Sequence, residues 1–148
     1  SCMVAEAMTP DAMKTFLERR KQAIVTRDVD ALGALYSEDA VVDTPAGGGT
    51  TKGRRVIESV YRNWFDSFPD FKLENEQYVV EGEQVAHIAS AVGTNAGGFM
   101  GLPATGKQFH VNLAFLLTVK DGLIVRERRI YDFTGMLVEI GVLKAKPQ

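Results

Sequence analysis

Apolar positions recur at helical spacing in the first half of the chain and alternate in the second, and the change falls near Phe71. In the N-terminal part Met13, Phe16, Leu17, Ala23 and Ile24 mark one face of a helix. Thr9 is placed to cap it, Pro10 fits its first position, and Asp11 complements its dipole. A second short helix is predicted from Asp28 or Asp30, burying Leu32, Leu35 and Tyr36, and residues 40–44 (AVVDT) read as a short strand. Residues 45–53 (PAGGGTTKG) read as a loop at a pocket rim. They are not a phosphate loop, because no Gly-Lys-Ser/Thr triplet follows at the required spacing. The clearest helix is 54–68, where Val56, Ile57, Val60, Tyr61, Trp64, Phe65 and Phe68 form one broad apolar stripe. Pro69 ends it, since proline disfavours helix in the residue before it.

Beyond Phe71 the period is that of strands. Residues 71–81 are predicted as one strand with a bulge or bend, because Leu73 and Tyr78/Val80 fall on opposite parities. Residues 84–95 are apolar or small on both faces and are expected to be buried on both, with His87 as a packed, hydrogen-bonded core histidine. A loop, AGGFMGLPATGK (96–107), carries Phe99, Met100 and Leu102, which calls for a pocket lid or a dimer contact. In the strand 108–120, Phe109, Val111, Leu113, Phe115 and Leu117 make an apolar face, opposite His110, Asn112, Ala114, Leu116 and Thr118. Asp121-Gly122 predicts a type I′ hairpin into a last strand, 123–131, followed by an amphipathic segment, 133–140. Helices first and antiparallel strands afterwards imply an α+β fold, with helices on one face of a curved antiparallel sheet.

Length adds that 148 residues make one domain, with residues 1–8 outside the fold and Ser1-Cys2 read as an expression remnant. A net charge of −2 provides no basic face for nucleic acid. A single cysteine excludes an internal disulfide, and no apolar run reaches the ~18 residues of a membrane span. With no recognisable signal peptide, a cytoplasmic protein is expected. Two histidines far apart and one terminal cysteine form no metal constellation, and no dinucleotide fingerprint is present, so no metal or cofactor is expected.

The candidate for chemistry is Asp132, where the last strand gives way to the terminal helix, although an aspartate there can equally serve as an N-cap. In a straight strand Ile124, Arg126, Arg128, Ile130 and Asp132 share one face and Glu127, Arg129 and Tyr131 the other. Which face points inward stays open at this stage. Substrate contacts are expected from Trp64, Phe68, Asn95, Phe99, Met100, His110, Asn112, Arg128 and Tyr131.

The run GTNAGGFMGLPATGK, followed by DGLIVRERRIYDFTGMLVEIGVL, resembles the SnoaL-like polyketide cyclases of the nuclear-transport-factor-2-like superfamily. The likeness extends back through the Phe68-Pro69-Asp70 segment and the GEQVA turn, so it covers nearly the whole chain. It implies a cone-shaped α+β barrel closing a hydrophobic pocket, often a homodimer, and a cofactor-free aldol cyclisation with an aspartate at the position of Asp132 as general acid/base. The chain departs from the usual pattern at Arg128, where a tryptophan is usual, at Asn95 in place of histidine, and at Ile88 in place of arginine. A cyclase or ketosteroid-type isomerase acting on a small apolar carbonyl compound is one expectation. A pocket that holds a small hydrophobic ligand without turnover is the alternative, and a scaffold whose sheet mainly dimerises is a third.

Overall fold

The computed structural model describes residues 8–46 and 48–144. The expectation for residues 1–8 therefore lies, up to residue 7, outside the described residues, while Met8 packs half-buried against the core. The elements in order are α1 (Pro10–Val25), α2 (Val29–Gly33), β1 (Tyr36–Asp43), β2 (Thr50–Lys52), α3 (Arg54–Ser67), β3 (Lys72–Glu81), β4 (Gln84–Thr94), β5 (Gln108–Lys120), β6 (Leu123–Tyr131) and α4 (Phe133–Glu139). Local chemistry sets the helix starts. Thr9 Oγ1 accepts from Ala12 N at 3.1 Å, and Asp28 Oδ1 accepts from Ala31 N at 3.0 Å. In α3, Ile57, Tyr61 and Phe65 are buried, whereas Val56 is half-exposed and lies off the buried stripe.

One six-stranded sheet, ordered β2-β1-β6-β5-β4-β3, forms an α+β cone with the helices on its concave face. β3 to β6 are antiparallel, as expected, but β1 runs parallel to β6, so the sheet is mixed and does not close. β1 begins at Tyr36 rather than near residue 40, and the expected loop 45–53 contains β2, paired with β1. Phe109, Val111, Leu113, Phe115 and Leu117 fill the concave side, under Phe16, Leu32, Ile57 and Phe65. β4 is buried mainly on this side, Ser90 being the buried exception on the other. Ile88 on its convex side is 42% exposed, because no layer covers that face in a single chain.

Bulges decide which side chains enter the cone. The register of β3 shifts between Glu74 and Gln77, where Asn75 has positive φ. The register of β6 shifts between its pairings with Thr118 and Val119, so that Ile124 and Glu127 both point inward despite opposite parity. Asp121 and Gly122 both have positive φ, as a type I′ turn requires. Among the described residues no helix is long and apolar enough to cross a membrane.

Candidate functional site

Between α3 and the concave sheet lies a cavity of about 140 Å³. Its walls are apolar, from Val60, Trp64, Phe71, Ala91, Val111, Leu113 and Phe115, and Thr44, Ala46 and Thr51 of the β1–β2 hairpin stand at its rim. This volume suits a single ring, since a dry apolar cavity of about 150 Å³ accepts benzene. A groove of about 520 Å³ lies outside the cone, between α1 and β3, and among the described residues offers no buried polar group to orient a ligand.

The polar end of the cavity is built from β6. Inward stripe residues Glu127, Arg129 and Tyr131 follow from the bulge, and Arg129 and Tyr131 line the cavity. Glu127 is fully buried with both oxygens engaged: Oε1 accepts from Tyr36 Oη at 2.5 Å and Oε2 from Arg129 Nε at 2.5 Å. Because the single Tyr36 proton goes to Glu127, Tyr61 must donate in the 2.6 Å bond between the two tyrosines. Burial pushes the Glu127 carboxyl up, but Arg129, Arg20 and the Tyr36 bond together hold it below the usual range, so it is ionised. Tyr36 and Tyr61 hold their protons more tightly than usual, through burial first and the Glu127 charge second. The Arg129 guanidinium stacks 4.9 Å from the Tyr61 ring centre. Its Nη2 is buried and has no partner among the described residues, which leaves one strong donor unused.

A second buried polar group lies under α1. Fully buried Arg20 donates from Nη1 to His87 Nδ1 at 2.9 Å and rests over the Phe115 ring at 4.7 Å. An arginine can only donate, so Nδ1 carries no proton, and His87 Nε2 donates to Glu76 Oε1 at 3.0 Å. Burial, then the charges of Arg20 and Lys21, lower the His87 pKa to about 3. His87 is thus the packed core histidine expected, sandwiched between Tyr78 and Phe115.

The expected site residues are dispersed. Trp64 and Tyr131 line the cavity. Phe68 is wholly buried core, with its ring 4.9 Å from Trp64, and Phe99 reaches from its loop onto both rings. Asn95 is fully buried away from the cavity lining and organises the loop: Oδ1 accepts from Gly98 N at 3.1 Å and Nδ2 donates to Thr105 Oγ1 at 3.2 Å. In this loop Gly97 lies so close to the Asp66 carbonyl that a Cβ could not fit. Met100 is 62% exposed at the loop tip. His110 and Asn112 stand exposed on the convex face, where Asn112 accepts from Ser90 Oγ, and Arg128 is exposed on the same face. Asp132 is exposed and outside the cavity lining. Its Oδ1 caps α4 by accepting from Gly135 N at 2.9 Å, and a Cβ on Gly135 would collide with the carboxylate.

Sequence reasoning passed over Arg129 and Glu127 as a pair. The signal was their shared stripe with Tyr131, but the inward side could not be chosen without the bulge.

The family model of SnoaL-like polyketide cyclases matches residues 14–140. The chain belongs to the SnoaL-like polyketide cyclase family. No curated protein sequence matches it significantly. Among solved structures this SnoaL-like chain is similar to IdmH of Streptomyces antibioticus, a candidate polyketide cyclase, at 30% identity and TM-score 0.72 over 87% of this chain and 98% of that one. It is also similar to AclR of Streptomyces galilaeus, a candidate hydroxylase, at 22% identity and TM-score 0.77 over 95% and 91%. A candidate SnoaL-like polyketide cyclase of Jannaschia sp. CCS1 matches at 20% identity and TM-score 0.79 over 97% and 100%. The last two show a shared fold, and a fold carrying such different assignments does not choose the reaction.

Proposed function

We propose that this protein binds a small, mostly apolar carbonyl compound inside the cone, with its oxygen against Arg129, and acts on it as a cofactor-free cyclase or isomerase. The supporting observation is that Arg129 lines an apolar cavity and carries a buried guanidinium nitrogen, Nη2, without a partner among the described residues. A preorganised guanidinium in a dry site stabilises the negative charge that develops on a carbonyl oxygen when a neighbouring C–H proton is removed. Glu127 is unsuited as the base, because both of its oxygens are committed and its neighbours weaken its basicity. The proposed acid/base group is Asp132, which directly follows Tyr131 and has no cationic partner among the described residues. Its capping bond and exposure favour the second reading, a pocket that holds its ligand without turnover.

Trp64 is the one tryptophan of the chain, so its fluorescence reports on this cavity alone. Acetophenone is expected to quench it, and Arg129→Met to weaken that binding roughly 10- to 100-fold, the loss of one hydrogen bond to a charged group. Unchanged affinity in the variant would remove Arg129 from the site. Asp132→Asn retains a capping residue. It is expected to keep binding and to lose about 100-fold or more in turnover of an identified substrate. Full turnover in that variant leaves the binding reading.

The homodimer is likewise our proposal, supported by the convex face. There Ile88, Ala114 and Ile130 are in register across β4, β5 and β6, with Leu116 beside them, and Ile88, Leu116 and Ile130 are 42%, 38% and 46% exposed. Light scattering is expected to return twice the 16.2 kDa chain mass, and Ala114→Arg to return the single mass. A monomeric parent protein would contradict this.

A further inference from the structure

The cone interior contains more buried positive charge than its own carboxylates neutralise. Arg20 is fully buried, Arg129 is 14% exposed at its side chain, and Glu127 is the carboxylate they have in common. His87 adds no charge, because its Nδ1 accepts from Arg20. Glu76 lies beyond His87, 19% exposed and shared with Lys21 at 3.5 Å. Two guanidiniums therefore face one carboxylate.

The hydrogen-bond inventory gives the same imbalance. Among the described residues Arg20 has one acceptor, His87, and leaves Nε and Nη2 without partners, and Arg129 leaves Nη2 without one. Stacking on Phe115 and Tyr61 offsets part of the cost through the guanidinium faces. It does nothing for the in-plane donors, and an uncompensated buried charge is costly. Phe115 joins the two halves: its ring carries Arg20 and also lines the cavity. An anion in the cavity would meet Arg129 directly and would experience Arg20 through a low-dielectric wall.

We infer that the natural ligand carries a carboxylate on its ring-sized apolar body, that Arg129 contacts this group, and that Arg20 is a positioning residue that sets the preference for negative charge. This rests on the cavity reading above, narrows its ligand class and, with the carboxylate on Arg129, takes its binding form rather than its turnover form.

Benzoate and benzamide have nearly the same shape and differ in charge, and acetophenone is a neutral ketone of similar size. The test is to titrate all three into the full-length protein at pH 7.5 and follow Trp64 fluorescence. Benzoate is expected to bind at least about tenfold more tightly than benzamide, as a charge-assisted bond exceeds a neutral one. Equal affinities, or tighter benzamide, overturn the inference while binding of acetophenone leaves the cavity reading standing. Failure of all three overturns both. In Arg20→Met the ratio of benzoate to benzamide affinity is expected to fall, and Arg20→Lys is expected to retain it. Equal loss for both ligands in Arg20→Met would overturn its charge role and reduce it to packing. The comparison in the parent protein decides the charge claim whether or not either variant folds.

Discussion

Glu127→Ala is expected to lower the unfolding free energy by about 3–5 kcal/mol, the usual cost of removing one partner from a buried ion pair. The substitution does more than delete a favourable contact. It leaves Arg129 charged in the core, strips the acceptor from the Tyr36 hydroxyl, and takes away a buried negative charge that Arg20 also feels. The double variant Glu127→Ala/Arg129→Met is expected to recover much of the loss, because removing both charges leaves no orphan behind. Urea unfolding of the parent, both single variants and the double variant measures this. A Glu127→Ala cost below about 1 kcal/mol would mean that the cluster is hydrated rather than dry.

The second large effect is a loss of stability in mild acid that belongs to His87. Its ordinary pKa is 6.5 and in the fold it is about 3, so between these values the unfolded chain binds a proton that the folded chain excludes. Stability therefore rises with pH across this window and is lost as pH falls through it. The slope approaches about 1.4 kcal/mol per pH unit below pH 6, which gives a loss of about 1.6 kcal/mol between pH 6.5 and 5. Glu127 acts in the same direction but lower: its depressed pKa contributes stability above the ordinary 4.5 that is lost only as pH falls below it. The interval from 6.5 to 5 thus isolates the histidine. In His87→Gln, whose amide can accept from Arg20 and donate to Glu76, the slope is expected to vanish over this interval. A slope that persists in the variant would assign it to another group.

Much of the architecture could be read from the residues because it depends on periodicity and punctuation. The Thr9-Pro10 start, the Pro69 stop and the Asp121-Gly122 hairpin are local signals, and each appears where expected. The parallel pairing of β1 with β6 was not legible, because it joins residues more than 80 positions apart with no local signature. The site was harder still. Alternation along a straight strand places Ile124 and Glu127 on opposite faces, and a single bulge at the start of β6 cancels that rule and turns the Glu127-Arg129-Tyr131 stripe inward. Asp132 illustrates the opposite case: both readings of it, acid/base group and N-cap, were open in the sequence, and its carboxylate caps α4. Arg20 stands between Arg19 and Lys21 in a short basic run with no local sign that sets it apart, yet α1 turns it alone of the three into the core.

The central claim is that the cone cavity is a ligand site oriented by Arg129. The most direct measurement is a crystal structure of the protein soaked with acetophenone. The expected result is a ring packed against Trp64 inside the cavity, with the ketone oxygen about 3 Å from a nitrogen of the Arg129 guanidinium. A cavity that stays empty while the ligand settles elsewhere, or a ring whose oxygen points away from Arg129, would contradict it.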